Sequence, residues 1–347
     1  MTVQAPPKRS LLARLTILVA CLGGFLLVTL LLASNIGPVA IPFGVIVSSA
    51  KSYLAGRPFD DPNNLAWIFW QQRLPRVALG AIVGTALTVS GGALQGLLMN
   101  PLADPYLVGV SAGAALGASI AMAAHIGALL GGAGKCLIGF GSGALTMGLV
   151  LWLARARGRI QRDAFILAGV VVGSFMWALV TMVMTIAKQD LGTIVLWLMG
   201  NLSAEVEWAV VGVSAFVVAV GCLALYTYAR DLNLLALGEE GARQLGVEVE
   251  KLKTRVILFS ALVTAAAVSV SGIIGFVGLV IPHMARKLFG PDHRVLLPTA
   301  GLLGASFLIW ADTLARAVGE TFPVGVLTSL LGAPFFFYLL KTRPRPS

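Results

Sequence analysis

Gly109-Val110-Ser111-Ala112-Gly113 has the G-x-S-x-G spacing of a nucleophile turn. In a serine hydrolase that turn joins a strand to a helix, and a histidine stands by as the base. Here it opens a run of small apolar residues, GVSAGAALGAS, which suits close packing of helices. An intramembrane serine protease using Ser111, with His283 as base, is the reading this motif supports by itself. Gly131-Gly132-Ala133-Gly134-Lys135-Cys136 looks like part of a phosphate loop. Leu129, however, stands where the first glycine belongs, and Cys136 where serine or threonine belongs. No cofactor is expected in this chain, and any ATP and Mg²⁺ would be bound by a partner. Cys21, Cys136 and Cys222 are scattered singly, and with His125 and His283 they make no metal-ligand spacing.

Charge is the next filter. Of the 15 acidic residues, only Asp104 and Asp312 sit within apolar sequence. Asp312 and Arg316 are four apart, so a helix would bring them together as an intramembrane pair. No string of acids or histidines suggests a proton relay, which argues against ion-coupled transport. Asn100-Pro101-Leu102-Ala103-Asp104-Pro105 has two prolines and two side chains able to bond their own backbone, so it reads as a tight break between helices. Arg73-Leu74-Pro75-Arg76 ends a long apolar run. An external partner with acidic residues, or a lipid headgroup, would account for arginines there.

The elements that must position these residues are membrane helices. The chain of 347 residues is 58% hydrophobic and only 12% charged, with a mean hydropathy of +0.90. An ordinary soluble domain carries about 25% charged residues. Backbone groups in lipid must bond within their own segment, so a helical bundle is expected. Ten spans are predicted, at 14–33, 66–99, 106–124, 137–154, 163–187, 206–229, 254–272, 274–290, 295–316 and 322–341. The second is long for one crossing and is expected to tilt, protrude or break near Gly91-Gly92. Residues 8–33 read as an uncleaved first helix, because the apolar run is longer than a signal-peptide core and no A-x-A site follows. The outer connection at 35–65 is rich in turn formers, among them Gly56, Pro58, Asp60, Asp61 and Pro62.

With the N-terminus in the cytoplasm, seven of the 25 Lys and Arg fall outside: Lys51, Arg57, Arg73, Arg76, Lys135, Lys188 and Arg316. The rest, including Arg157, Arg343 and Arg345, fall inside, and an even span count returns the C-terminus to the cytoplasm. The net charge of +10 therefore reads as topology and calls for no nucleic-acid partner. Val89-Ser90-Gly91 recurs as Val270-Ser271-Gly272, and Pro101 and Pro282 share the offset. This echo suggests two five-helix halves, and an odd number per half would make the repeat inverted.

One stretch breaks the apolar pattern. Residues 230–255 hold ten of the chain's charged side chains. Leu237-Gly238-Glu239-Glu240-Gly241-Ala242-Arg243-Gln244-Leu245-Gly246 allows two short helices with glycine joints. Leu232, Leu234, Leu235, Leu237 and Leu245 give the island an apolar side, and exposed apolar patches mark partner surfaces.

Taken together, Arg73-Leu-Pro-Arg76, SGGALQGLLMNPLADPYLVGVSAGAALG (90–117), LNLLALGEEGARQLGV (232–247), GFVGLVIPHMAR (275–286), ADTLAR (311–316) and PVGVLTSLLGAPFFFYLL (323–340) resemble the FecCD-type permeases of bacterial ABC importers. The resemblance implies an all-α polytopic membrane protein with the type II importer fold, in the bacterial cytoplasmic membrane. Its single transmembrane domain would span residues 1–347 and import an iron–siderophore, haem or cobalamin by alternating access. It implies a homodimer, two ATP-binding subunits, and a periplasmic or lipid-anchored binding protein that delivers the metal chelate. Residues 230–253 would be the cytoplasmic coupling segment gripped by the ATPase. Arg73, Arg76 and Arg316 would meet carboxylates of the binding protein. Asn100, Asp104, Gly169, Gly173, Ser174, Gly192 and Gly200 are candidates for the pathway or its gating, since small residues suit sliding contacts. An ATPase-independent carrier is the alternative from another function class.

Overall fold

A computed structural model of the chain describes residues 8–37, 39, 41–56, 64–126, 133–156, 159–202, 207–319 and 322–341. The features noted at Arg57, Pro58, Asp60, Asp61, Pro62, Leu129, Gly131, Gly132, Arg157, Arg343 and Arg345 lie outside these residues.

The protein is an all-α, polytopic membrane protein. Its helices are α1 (Lys8–Asn35), α2 (Phe43–Leu54), α3 (Leu65–Leu97), α4 (Val110–Ala123), α5 (Ala133–Ala154), α6 (Arg162–Ile186) and α7 (Leu191–Leu198). There follow α8 (Trp208–Thr227), α9 (Ala229–Leu235), α10 (Glu239–Gln244), α11 (Val249–Ser271), α12 (Val277–Phe289), α13 (His293–Val318) and α14 (Val324–Lys341). Among the described residues the only strands are β1 (Arg155–Ala156) and β2 (Arg159–Ile160), a two-stranded antiparallel turn before α6.

Seven of the described helices are long and apolar enough to cross a membrane: α1, α3, α5, α6, α8, α11 and α13. The three remaining predicted spans form α4, α12 and α14; α4 and α14 have shorter apolar stretches, and α12 is a 13-residue helix with Arg286 and Lys287 in its last turn. The 14 residues of α4 reach only about 21 Å at roughly 1.5 Å per residue, against a hydrocarbon core of about 30 Å. Irregular backbone makes up the difference, and within a membrane that is tolerated where protein buries it. A 3₁₀ turn at Pro105–Val108 precedes α4, and a non-helical segment at 272–276, with Gly272 and Phe276 at positive φ, precedes α12. The Tyr106 hydroxyl satisfies both backbone groups of Ile274, donating to its oxygen at 2.9 Å and accepting from its nitrogen at 3.1 Å.

The expected break near Gly91-Gly92 does not occur, because α3 runs through both glycines. Its irregularity is a π-helical turn at Ile68–Arg73. Gly91 serves a contact instead: a Cβ there would lie 1.9 Å from the Gly278 carbonyl oxygen, so α3 and α12 cross backbone to backbone. Gly272 differs from its sequence counterpart, ending α11 with φ at +68°. Two short helices, α2 and α7, fall outside both the ten predicted spans and the predicted island at 230–253.

Two helices form the centre. The buried helix α3 packs against α11, α12 and α13, and α11 packs against α3, α4 and α5. The outer faces of α1, α6 and α8 carry exposed large apolar side chains such as Leu31, Phe175 and Phe216, as lipid or a partner requires. An open apolar groove of about 580 Å³ lies between the end of α7, the 272–276 segment and α14.

Candidate functional site

The bundle gathers charge at its two ends. At one end lies the island. Between α8 and α11 the chain forms the two short helices α9 and α10, jointed at Gly238 (φ +99°) and Gly246 (φ +86°). Both joints need a backbone conformation that glycine adopts without cost. Leu232, Leu235 and Ala242 are fully buried in the main core beside Leu94 and Leu297, and Leu234 packs against it. The island's expected apolar side is therefore largely turned inward. What remains outside is Leu237 and Leu245, 69% and 58% exposed, with Glu240 and Gln244 beside them.

Most of the island's other charges bond within the chain. Glu239 meets Lys253 at 2.9 Å, Arg162 at 3.3 Å and Arg243 at 3.6 Å. Glu250 meets Lys253 at 3.2 Å and Arg243 at 3.6 Å, and accepts a hydrogen bond from Ile160 N at 3.0 Å. A second attachment runs through Asn233. Its Nδ2 donates to Asp292 at 2.6 Å, and its Oδ1 accepts from His293 N at 2.9 Å and lies 2.8 Å from His293 Nδ1. Asp292 also caps α13, accepting from Arg294 N, and pairs with the Arg294 guanidinium at 2.6 Å. Partial burial pushes the Asp292 carboxyl up, but the Arg294 and Asn233 hydrogen bonds outweigh it and hold it at about 2. The Asn233 clamp and the Ile160 contacts were not anticipated from sequence. Asp292 immediately before a helix is an N-cap signal that could have pointed to part of it.

At the opposite end, Arg76 grips both oxygens of Asp312, with contacts of 2.8, 2.9 and 3.2 Å. Arg316 Nε is 3.2 Å from Asp312 Oδ2, the intramembrane pair read from the four-residue spacing. Arg316 also donates to the Ile36 and Ala33 carbonyls, and Arg73 to those of Ser34, Asn35 and Val39. The last carbonyls of α1 lack helical partners and carry partial negative charge, so cations are favoured there. Arg73 and Arg316 are buried, and the Arg76 side chain is 14% exposed. The three candidate docking arginines are thus engaged inside the chain, and only Arg76 shows appreciable surface.

The pathway candidates scatter. Asn100 Oδ1 accepts from Leu102 N and Asp104 Oδ1 from Tyr106 N, so both close the turn between α3 and α4. Gly169 and Gly173 lie against Gly109. Ser174 and Gly192 are on exposed faces. Gly200 alone adjoins the groove, where its carbonyl accepts from Gly325 N at 3.2 Å.

Ser111 lies in the first turn of α4, entered from the 3₁₀ turn and not from a strand, so the elbow that exposes a serine nucleophile is missing. Gly113 of the same motif packs on Thr146 of α5. Lys135, from the phosphate-loop-like stretch, stands over the Trp197 ring at 5.8 Å. His125 lies 3.6 Å from Asp190 and joins the end of α4 to the turn before α7.

The profile of the FecCD transport family matches residues 25–342. The cobalamin import system permease protein BtuC of Halobacterium salinarum is 42% identical over 84% of this chain and 78% of its own. The hemin transport system permease protein HmuU of Yersinia pestis is 39% identical over 91% of this chain and 94% of its own. A chain assigned as a metal-chelate type ABC transporter, solved in an inward-facing conformation, superposes with a TM-score of 0.77 and 29% identity, covering 95% of this chain and all of that one.

Proposed function

The chain belongs to the FecCD transport family, and from that premise we infer how its two charged ends serve transport. It is the permease subunit of an ABC importer for metal chelates and carries no nucleotide site of its own. The observation that carries the mechanism is the shape of the island. Two glycine-jointed helices are anchored by Leu232, Leu235 and Ala242, and leave Leu237 and Leu245 facing solvent.

The exposed face of α9 and α10 is the surface an ATP-binding subunit grips. ATP closure of two such subunits displaces the island, and the bundle shifts between two packings. That shift requires ATP to favour one packing over the other. The island end faces the cytoplasm, as do both termini, in keeping with the distribution of Lys and Arg. The chain crosses ten times in two halves, α1 with α3–α6 and α8 with α11–α14. The packing of α3 on α11, α12 and α13 and of α11 on α3, α4 and α5 supports this, although α8 packs on both central helices and α1 does not. A second copy completes the pathway, with the groove beside Gly200 and Gly325 as this chain's contribution. A binding protein docks at the arginine end, where Arg76 offers surface and Arg73 and Arg316 hold that surface in place. Rim charges of this kind set orientation and encounter rate. The cargo is an iron chelate, a haem or a corrinoid, as in the relatives.

The test is uptake of labelled ferric hydroxamate, haem and cobalamin into liposomes holding the chain with its ATPase and binding protein. ATP-dependent uptake of one of the three is expected, and uptake at full rate without the ATPase would overturn the reading. For the island, Leu237→Glu with Leu245→Glu is expected to cut ATPase co-purification at least tenfold with the melting temperature unchanged. Undiminished co-purification would remove the island from the contact. Reversing Glu239 would be a poorer test, because that carboxylate is bonded inside the chain.

A further inference from the structure

We propose that Lys253 is a positioning residue: its ammonium latches the island to the start of α6, so that α10 and α6 move as one body. The inference rests on the island being the ATPase contact, and it concerns where the displacement goes next.

The geometry is a three-way junction. Lys253 Nζ lies 2.9 Å from Glu239 of α10, 3.2 Å from Glu250 of its own helix and 3.3 Å from the Ile160 carbonyl of β2. An ammonium has three donors, and three acceptors stand around this one. Ile160 is held at both backbone groups, since its N–H donates to Glu250 while its carbonyl accepts from Lys253. Two residues on, Arg162 opens α6 and reaches Glu239 at 3.3 Å. The strand entering α6 and the helix carrying the exposed island face are thus tied to the same two carboxylates.

Ion pairs on a protein surface usually contribute little and hold nothing rigidly. This one differs in burial: the Lys253 side chain is 7% exposed, whereas Glu239 and Glu250 are about 30% exposed. Beneath the charges runs a continuous apolar floor. Ala242 of α10, Ile160 and Phe165 of α6 are all buried in one core cluster. Displacing α10 without α6 would take Glu239 away from both the buried ammonium and Arg162 and open that floor. The island's other attachment, Asn233 to the start of α13, leads to a different helix, so the latch is the direct route to α6.

The experiment uses the reconstituted transporter, with ATP hydrolysis and chelate uptake measured together. In Lys253→Met, uptake per ATP hydrolysed is expected to fall at least tenfold while the ATPase still co-purifies. Uptake and hydrolysis declining in proportion, or neither changing, would overturn the proposal. A second variant guards against misfolding. Arg162→Cys with Glu239→Cys, with Cys21, Cys136 and Cys222 replaced by alanine, removes the ties through Glu239. It should show the same uncoupling until a short bismaleimide bridges the two thiols. The bridge is expected to raise uptake per ATP at least fivefold. A bridge that leaves the ratio unchanged would show that the tie does not couple uptake to ATP, one that lowers it would show that α10 and α6 must move apart, and in either case the proposal fails. A failure of the importer reading itself would look different, as uptake by the unaltered chain with no ATPase present.

Discussion

At the arginine end of the bundle, two guanidiniums, those of Arg76 and Arg316, hold one carboxylate nearly out of solvent, and Arg316 and the neighbouring Arg73 also donate to carbonyls at the end of α1. At the island end, two carboxylates share three cations, and only Lys253 among them is buried. The first arrangement suits a fixed structure. Its charges have few alternative partners and a high desolvation cost if separated. The second suits a part that moves as one body with its neighbours, because one buried ammonium ties α10 to α6 while the outer charges stay open to solvent. The difference teaches that clustered charge in a membrane protein has no single meaning: burial and the nature of the acceptors decide whether it is a staple or a joint.

The comparison is broken most readily at Asp312. Asp312→Asn leaves Arg76 and Arg316 buried with no counter-ion, and breaking a buried pair costs about 3–5 kcal/mol. Thermal unfolding in detergent should show this loss, and an unchanged melting temperature would dissolve the contrast between the two ends. Lys253→Met should cost less, about 1–2 kcal/mol, because Glu239 and Glu250 regain water when their cation leaves. A loss as large as that for Asp312→Asn would mean the island network is as rigid as the arginine cluster. Asp292 comes next. Its folded-state value of about 2 lies below the usual carboxylate value of about 3.9. Its contribution is therefore present above pH ~4 and lost as pH falls toward 2. Solvent screening reduces it to about 1 kcal/mol. Asp292→Asn should flatten the acid limb of a pH–stability curve, and an identical limb would remove the cap from the account. Glu240→Gln, on the exposed face, should change stability by less than about 0.5 kcal/mol. A larger change in the isolated chain would mean that Glu240, like Glu239, is bonded internally.

The sequence was most informative where its signals are local. Asp312 and Arg316 are one helical turn apart, so their pairing needed only the helix. The glycine joints of the island sit beside the residues they separate, and Asn100 and Asp104 close turns with the next two residues. Arg76 was harder to place, because its carboxylate lies 236 positions away and no periodicity links them. The island's leucines show the same limit. Composition marked all five as apolar surface, but packing against α3 and α13 buries Leu232 and Leu235 and spares Leu237 and Leu245.

Hydropathy made this a helical membrane protein, since a backbone in lipid is satisfied by helices or by a closed barrel, and long apolar runs without short alternating strands leave the helices. Family motifs alone identified the importer class, because those blocks lie within the chain and need no folding to be read. Only the tertiary structure decided which arginines are staples, which island charges are bonded inward, and that Ile160 is held by Lys253 and Glu250. Those facts depend on segments far apart in the chain meeting at buried points, and a partner across such a distance is chosen by packing and desolvation.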